Sequence, residues 1–139
     1  MSGAASTTED GARRFMRRYP EEGDGPIPVE RYTSQAYFDR EKDAVFRRKW
    51  LNVGHVLQVA KPGDYVVVDL KIAETAILVI HGKDGVIRAF HNMCSHRGAP
   101  VAWDAQGSCR GFLSCRFHGW VYDTAGKLVQ VSDAENFPS

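Results

Sequence analysis

The sequence predicts a mostly β chain, an antiparallel sandwich or barrel of short strands preceded by one helix. Segments rich in β-branched residues follow one another between residues 50 and 92, and the turn sequences KPGD and GKDG separate them. The clearest helical spacing of apolar residues lies just before these segments. A second, shorter hairpin is indicated near the C-terminal end. This order of elements is typical of an all-β domain with an added N-terminal helix.

The N-terminal part of the chain divides into a tail and a helix. Residues 1–31 combine Ser, Thr, Gly and charges with few apolar residues, so a flexible tail is predicted there. A helix is predicted over QAYFDREKDAVFRRKW, with Thr33 or Ser34 as its N-cap and a break near Asp39. Its apolar stripe is expected to cover the domain's own sheet.

Strands are predicted over WLNVGHVLQV, DYVVVDL, TAILVIHG and VIRAFHN. Pro62-Gly63 and Asp84-Gly85 are the expected turns between them. The segment APVAWDAQGSCRGF is interpreted as a loop. FLSC and WVYDTAGKLVQV are predicted to form paired strands, with a hairpin turn at Ala125-Gly126.

Charge and cysteine content narrow the classes of partner and compartment. With 18 Lys and Arg against 17 Asp and Glu, the net charge is +1, which gives no reason to expect nucleic acid or an anionic membrane as a partner. The N-terminal segment has no apolar core like that of a signal peptide, and no apolar stretch is long enough to span a membrane. The three Cys form no disulfide framework, and Cys109 is expected to be an unpaired thiol. These features predict a cytoplasmic protein.

Two Cys/His pairs lie within residues 91–120. Cys94 and His96 form a C-x-H pair, and Cys115 and His118 form a C-x-x-H pair. Four such side chains on two loops predict a metal site. A zinc site usually takes two Cys from one loop and two His from another, whereas here each loop is mixed. A two-metal cluster that takes Cys at one metal and His at the other fits this distribution, and a structural zinc module is the alternative.

The segments CSHRG and CRFHGW resemble the Rieske box of aromatic-ring-hydroxylating oxygenase large subunits. The resemblance implies a Rieske fold and a [2Fe-2S] cluster, whose inner iron is bound by Cys94 and Cys115 and whose outer iron is bound by His96 and His118. It also implies that four flanking residues surround the cluster, namely Arg97, Gly98, Gly119 and Trp120. Looser matches at W-x-x-V-G-H, P-G-D-Y and Y-D-x-x-G-K-L extend the expected Rieske domain over residues 32–139.

The same resemblance implies a function in electron transfer. In the family, a ferredoxin or a flavin reductase supplies electrons, a mononuclear iron in a catalytic domain accepts them, and the large subunits form homo-oligomers. A self-standing Rieske-type ferredoxin is the alternative.

The chain's other histidines do not have the spacing of the 2-His-1-carboxylate triad that holds the mononuclear iron. His55 and His81 are interpreted as strand histidines with local hydrogen bonds, and His91 as a hydrogen-bonding neighbour of the metal site. No catalytic residue is therefore predicted. The chain is expected to be the N-terminal portion of a Rieske dioxygenase or monooxygenase, a component that transfers electrons without hydroxylating a substrate itself.

Overall fold

The computed structural model describes residues 25–132 and 134–136. The chain divides into two compact units, Met1–Asp39 and Arg40–Ser139, which are described separately. In the first unit, helix α1 spans Glu30–Thr33. Most of the predicted tail, residues 1–24, lies outside the described residues, so its limits stay a prediction.

The predicted helix is confirmed in its first half. Helix α2 spans Gln35–Glu41, and the backbone N–H of Tyr37 donates to Ser34 Oγ at 3.2 Å, so Ser34 provides the predicted cap. A π-helical turn, Lys42–Phe46, follows α2. The prediction that the helix continues to Trp50 is wrong. The Trp50 side chain is fully exposed, at 102%, and it has no apolar neighbour surface that would favour another helical turn.

The second unit contains two antiparallel sheets. The first has the strand order β3-β2-β1-β4, and its strands are β1 (Asp64–Leu70), β2 (Thr75–His81), β3 (Ile87–His91) and β4 (Gln106–Ser108). The second sheet has the order β5-β6-β7, with β5 (Phe112–Ser114), β6 (Val121–Asp123) and β7 (Leu128–Gln130). The predicted mostly β, antiparallel fold class is confirmed. No helix in the described part of the chain is long and apolar enough to cross a membrane.

Side chains of β1 and β2 are buried on both faces of the first sheet. Tyr65 and Ile80 point into a core cluster with Ala102, while their strand neighbours Val66 and Val79 point the other way and pack with Val59. Because side chains alternate with a period of two, a strand whose residues are apolar on both faces must be covered on both. Strands β1 and β2 are therefore central to the core.

The predicted turns are confirmed. Gly85 (φ 79°) lies in the β2–β3 hairpin, and its N–H donates to the Gly82 carbonyl at 3.0 Å. Gly63 (φ 95°) closes the turn that enters β1, and Gly126 (φ 87°) closes the β6–β7 hairpin. A positive φ has little energetic cost for glycine, which has no side chain, and this explains why glycine occupies each turn.

The predicted strand over WLNVGHVLQV is wrong. Its last part is a 3-10 helix, Val56–Val59, whose start is fixed by side chains. His55 Nδ1 accepts from the Leu57 N–H at 3.2 Å, and Gln58 Oε1 accepts from the His55 N–H at 2.7 Å. These reciprocal caps give the backbone a local alternative to strand pairing.

The interpretation of residues 99–112 as loop alone is also wrong, because it contains β4. This strand pairs with the edge of β1, with Tyr65 opposite Gly107. The sequence QGS has low strand propensity and all three residues are exposed, so β4 forms through its backbone pairing with β1 and not through burial of its side chains.

Candidate metal centre

The two Cys/His loops have the same backbone construction. In the first, between β3 and β4, the Gly98 N–H donates to the Cys94 carbonyl at 2.9 Å, and the Cys94 N–H donates to the Ala99 carbonyl at 2.8 Å. In the second, between β5 and β6, the Gly119 N–H donates to the Cys115 carbonyl at 2.9 Å. The Cys115 N–H likewise donates to the carbonyl five residues later, that of Trp120, at 2.9 Å. Each Cys therefore begins a closed turn.

Glycine is needed four positions after each Cys. Gly98 and Gly119 both have φ of 73°, a left-handed conformation that is costly for residues with a Cβ. This conformation reverses the chain, so that the residue five positions after each Cys can hydrogen-bond back to it.

The loops bring the two thiols into one apolar cluster. Cys94 and Cys115 are 3% and 2% exposed, and they pack with Val101 and Trp120. Among the described residues the cysteines form no disulfide. The thiols therefore lie on the inner side of the loops, shielded from water.

The two imidazoles lie together on the outer side. The ring centroids of His96 and His118 are 4.5 Å apart in an edge-to-face arrangement. His96 is half-buried, whereas His118 is exposed. The site thus has two unlike ends, with sulfur inside and imidazole towards solvent.

Two aromatic side chains contact the imidazoles. Trp120 stacks on His96, with ring centroids 4.8 Å apart and 12° between the planes. Phe117 packs against His118, with centroids 4.0 Å apart.

Burial lowers the pKa of His96, and the neighbouring His118 and Arg97 lower it further. A lowered pKa keeps the ring neutral at neutral pH, and the neutral imidazole is the form that binds a metal.

A tyrosine hydroxyl reaches the inner end of the site from β6. Tyr122 Oη lies 3.2 Å from Cys94 Sγ and 2.8 Å from Ser95 Oγ, and it accepts from the Ser95 N–H at 3.0 Å. Burial raises the pKa of Tyr122, with the Cys94 thiol as the next contribution. The phenol therefore keeps its proton at neutral pH and has a hydrogen to donate.

Asn92 connects the two sides of the first loop. Its Oδ1 accepts from the Val101 and Ala102 N–H groups at 3.1 and 2.9 Å, and its Nδ2 donates to the Ala102 carbonyl at 2.7 Å. Asn92 is 9% exposed, so these bonds are made away from water. No sequence pattern indicates this role for Asn92, because its partners lie nine and ten positions away.

The remaining histidines bond within or between other elements. His81 Nδ1 lies 2.9 Å from the Val59 carbonyl, and the predicted local hydrogen bond of His55 is made to Leu57. His91 Nδ1 lies 3.0 Å from Thr75 Oγ1, a contact between β3 and β2. A role for His91 beside the metal site stays a prediction.

The donor set fits a [2Fe-2S] cluster better than a single ion. No group of three or more His, Cys, Asp or Glu side chains in residues 25–132 or 134–136 is arranged to hold one metal ion. A Rieske cluster requires only two protein ligands at each iron, two Cys at one and two His at the other. Two buried thiols and two adjacent outward imidazoles supply that combination.

A family model of the Rieske [2Fe-2S] domain matches residues 49–139, and the chain belongs to this family. Members of the family bind a Rieske-type [2Fe-2S] cluster, as the loop sequences predicted. The resemblance to Rieske domains of oxygenase large subunits is likewise confirmed.

Among curated proteins, the chain is 40% identical over 126 residues to the chlorobenzene dioxygenase subunit alpha of Cupriavidus sp. (strain PS12). It is 36% identical over 110 residues to the carnitine monooxygenase oxygenase subunit of Escherichia coli (strain K12). The matches cover 90% and 79% of this chain, but only 27% and 29% of those relatives. The chain therefore spans less than a third of the length of these relatives.

Solved structures show the same relationship. The quaternary ammonium Rieske monooxygenase CntA in complex with L-carnitine aligns with a TM-score of 0.75 at 33% identity, over 81% of this chain and 31% of that one. Naphthalene 1,2-dioxygenase from Rhodococcus sp. bound to indole aligns with a TM-score of 0.75 at 25% identity, over 96% of this chain and 29% of that one. The fold of this chain is therefore that of Rieske oxygenase domains.

Proposed function

We propose that this chain transfers single electrons through a Rieske [2Fe-2S] cluster, from a ferredoxin or flavin reductase to the mononuclear iron of an aromatic-ring-hydroxylating oxygenase. We assign Cys94 and Cys115 to the inner iron and His96 and His118 to the outer iron. The observation that carries the proposal is the pairing of two buried thiols with two imidazoles 4.5 Å apart on loops of matching geometry.

When bound, the cluster supplies a centre that gains and loses one electron. The protein residues determine its surroundings. Trp120 stacks on His96 and, with Val101, encloses the thiols, so water is kept from the inner end. His118 is exposed, so the outer end is open to a partner. The proposed path of the electron runs through the imidazole end.

Exposed apolar side chains next to the imidazole end supply a contact surface for that partner. Phe117, which packs against His118, is 57% exposed, and Trp103 is 55% exposed. Arg116 of the second loop pairs with Asp104, the residue after Trp103, at 3.0 Å, so both aromatic residues belong to this end of the domain. Aromatic residues at the centre of an interface commonly contribute most of its binding energy.

A pair of substitutions tests this surface. Trp103→Ser is expected to slow electron exchange with the reductase and leave the midpoint potential unchanged. Phe117→Leu, which keeps an apolar contact with His118, is expected to slow exchange by more than any change in potential explains. The control is Trp50→Ser, which removes a fully exposed aromatic side chain from a segment outside both loops. Equal rates in all three variants would contradict the proposed electron path.

The acceptor and the substrate are inferred from the relatives. The relatives that are 40% and 36% identical to this chain are oxygenase subunits, which favours an oxygenase component over a self-standing ferredoxin. Identities of 40% to benzene and chlorobenzene dioxygenases, against 34–36% to carnitine monooxygenase subunits, favour an aromatic substrate. The subunit assayed together with its catalytic domain should oxidise benzene and not L-carnitine, and the reverse preference would overturn the substrate proposal.

We further propose that the full-length protein is a cytoplasmic homo-oligomer.

A further inference from the structure

The hydroxyl of Tyr122 is contacted by more groups than its single hydrogen can serve. Its oxygen lies within hydrogen-bonding distance of the Ser95 N–H, Ser95 Oγ and Cys94 Sγ, at 3.0, 2.8 and 3.2 Å. A phenol has one hydrogen to donate and can accept further bonds at its oxygen. The direction of each bond therefore has to be assigned.

Two of the three directions follow from chemistry. A backbone N–H can only donate, so Tyr122 accepts from Ser95 N. A cysteine that binds iron is a thiolate and has no proton, so Cys94 Sγ can only accept in the loaded protein. If Tyr122 gives its hydrogen to Cys94, the Ser95 hydroxyl must donate to Tyr122 in turn. This is the one arrangement that satisfies all three contacts together.

We infer that Ser95 is a positioning residue whose hydroxyl directs the Tyr122 hydrogen onto Cys94 Sγ and thereby raises the reduction potential of the centre. The inference rests on the proposed function. Hydrogen bonds to sulfur raise the potential of iron-sulfur centres because the reduced form carries the additional negative charge. Ser95 does not bind metal, and it acts through Tyr122.

The test is the midpoint potential of the protein loaded anaerobically with iron and sulfide, measured by dithionite titration under electron paramagnetic resonance. Ser95→Ala removes the hydroxyl that donates to the Tyr122 oxygen, so the half-buried phenol can donate to water instead of to sulfur. We expect the equilibrium constant for reduction to fall about tenfold, which is about 59 mV for a one-electron couple. Ser95 is exposed, so its replacement should leave folding intact.

Two matched variants separate the hydroxyl from the shape of the side chain. Ser95→Thr keeps the hydroxyl and should keep the potential close to wild type. Ser95→Val has nearly the shape of threonine without the hydroxyl, and should behave as Ser95→Ala does. Ser114→Ala is the site control, because it removes an exposed hydroxyl beside the other thiol, Cys115, and should leave the potential unchanged.

A double-mutant cycle tests the route through Tyr122. Tyr122→Phe removes the donor and should lower the potential, and adding Ser95→Ala to it should produce no further fall. Additive falls, or a Ser95→Ala potential that is unchanged or higher, would overturn the inference. A wild-type protein that loads no reducible cluster would overturn the proposed function as well. A wild type that loads and reduces normally isolates any failure to the role of Ser95.

Discussion

Cys94 and Cys115 show how much a single residue reveals about its role. Their exposures of 3% and 2% alone would suit inert core thiols, because free cysteine behaves as a small apolar residue. Their neighbours instead indicate thiols that bind a metal. An imidazole follows each thiol closely in the chain, and a tyrosine hydroxyl lies 3.2 Å from Cys94 Sγ. Sequence spacing identified the thiols and imidazoles, while Tyr122 and Ser95 became partners only through folding.

Replacing either buried thiol is the residue-scale test of the ligand assignment. Cys94→Ser and Cys115→Ser should each abolish the cluster, because serine is a poor ligand for the inner iron and the loops lose the folding energy that metal binding supplies. Iron and labile sulfide content of the purified variants is the measurement. Cys109→Ser is the matched control, since this half-buried thiol of the β4–β5 connection should be dispensable. Full cluster content in either thiol variant would contradict the assignment.

The midpoint potential of a Rieske centre depends on hydrogen-bond donors to its sulfur atoms. Few side chains described near the thiols of this chain can donate such a bond. High-potential Rieske proteins resemble this box but carry a disulfide and an added serine at positions that are Ala99, Phe117 and Trp120 in this chain. Of the hydroxyl donors described near Cys94, Tyr122 is in direct contact with its sulfur. We therefore expect a midpoint below about +50 mV at neutral pH, in the lower half of the Rieske span of about −150 to +300 mV. Voltammetry above about +150 mV would contradict this expectation.

At the scale of elements, the loops are more regular than their sequences. Both turns place glycine four positions after Cys with the same φ of 73°, although His follows Cys by two positions in one loop and by three in the other. Sequence periodicity located β3, β5 and β6, three of the strands next to the loops. It failed at WLNVGHVLQV, where His55 and Gln58 caps replaced strand pairing, and at β4, where backbone pairing with β1 overrode weak propensity. Both errors involve hydrogen bonds that local composition does not encode.

Gly98→Ala tests the first turn. The left-handed backbone should cost the variant about 1–2 kcal/mol of stability and cause it to lose its cluster faster, because the turn that presents Cys94 is distorted. Gly85→Ala is the control. Gly85 has φ of 79° and no atom within 4 Å of an added Cβ, so the strain is comparable and lies in a hairpin away from the loops. Thermal unfolding and cluster absorbance are measured together. Equal rates of cluster loss in the two variants would contradict a specific role for the loop.

Asn92→Ala tests the connection between the two sides of the first loop. The substitution leaves the buried Val101 and Ala102 N–H groups without their acceptor, at a cost of about 1–3 kcal/mol for each buried unsatisfied group. We expect the thermal midpoint to fall by at least about 4 °C. Asn52→Ala removes one exposed hydrogen bond, to the Gly54 N–H at 3.0 Å, and should have little effect. An Asn92→Ala midpoint equal to that of wild type would contradict the proposed importance of this residue.

At the scale of the whole domain, the two sheets are joined at their hairpins as well as through the core. The Lys83 N–H in the β2–β3 turn donates to Thr124 Oγ1 in the β6–β7 turn at 3.2 Å, and Thr124 is buried. The Asp-Gly and Ala-Gly turns predicted both hairpins. Their contact could not be predicted from the sequence, because it joins residues 41 positions apart.

The loading of the whole domain with iron and sulfide tests the central claim most directly. After anaerobic reconstitution, we expect two irons and two labile sulfides per chain, a coloured protein, and uptake of one electron per cluster from dithionite. This result follows from a donor set divided between buried thiols and outward imidazoles. One tightly bound zinc per chain, with no labile sulfide and no reducible absorbance, would contradict the claim and favour a structural zinc module.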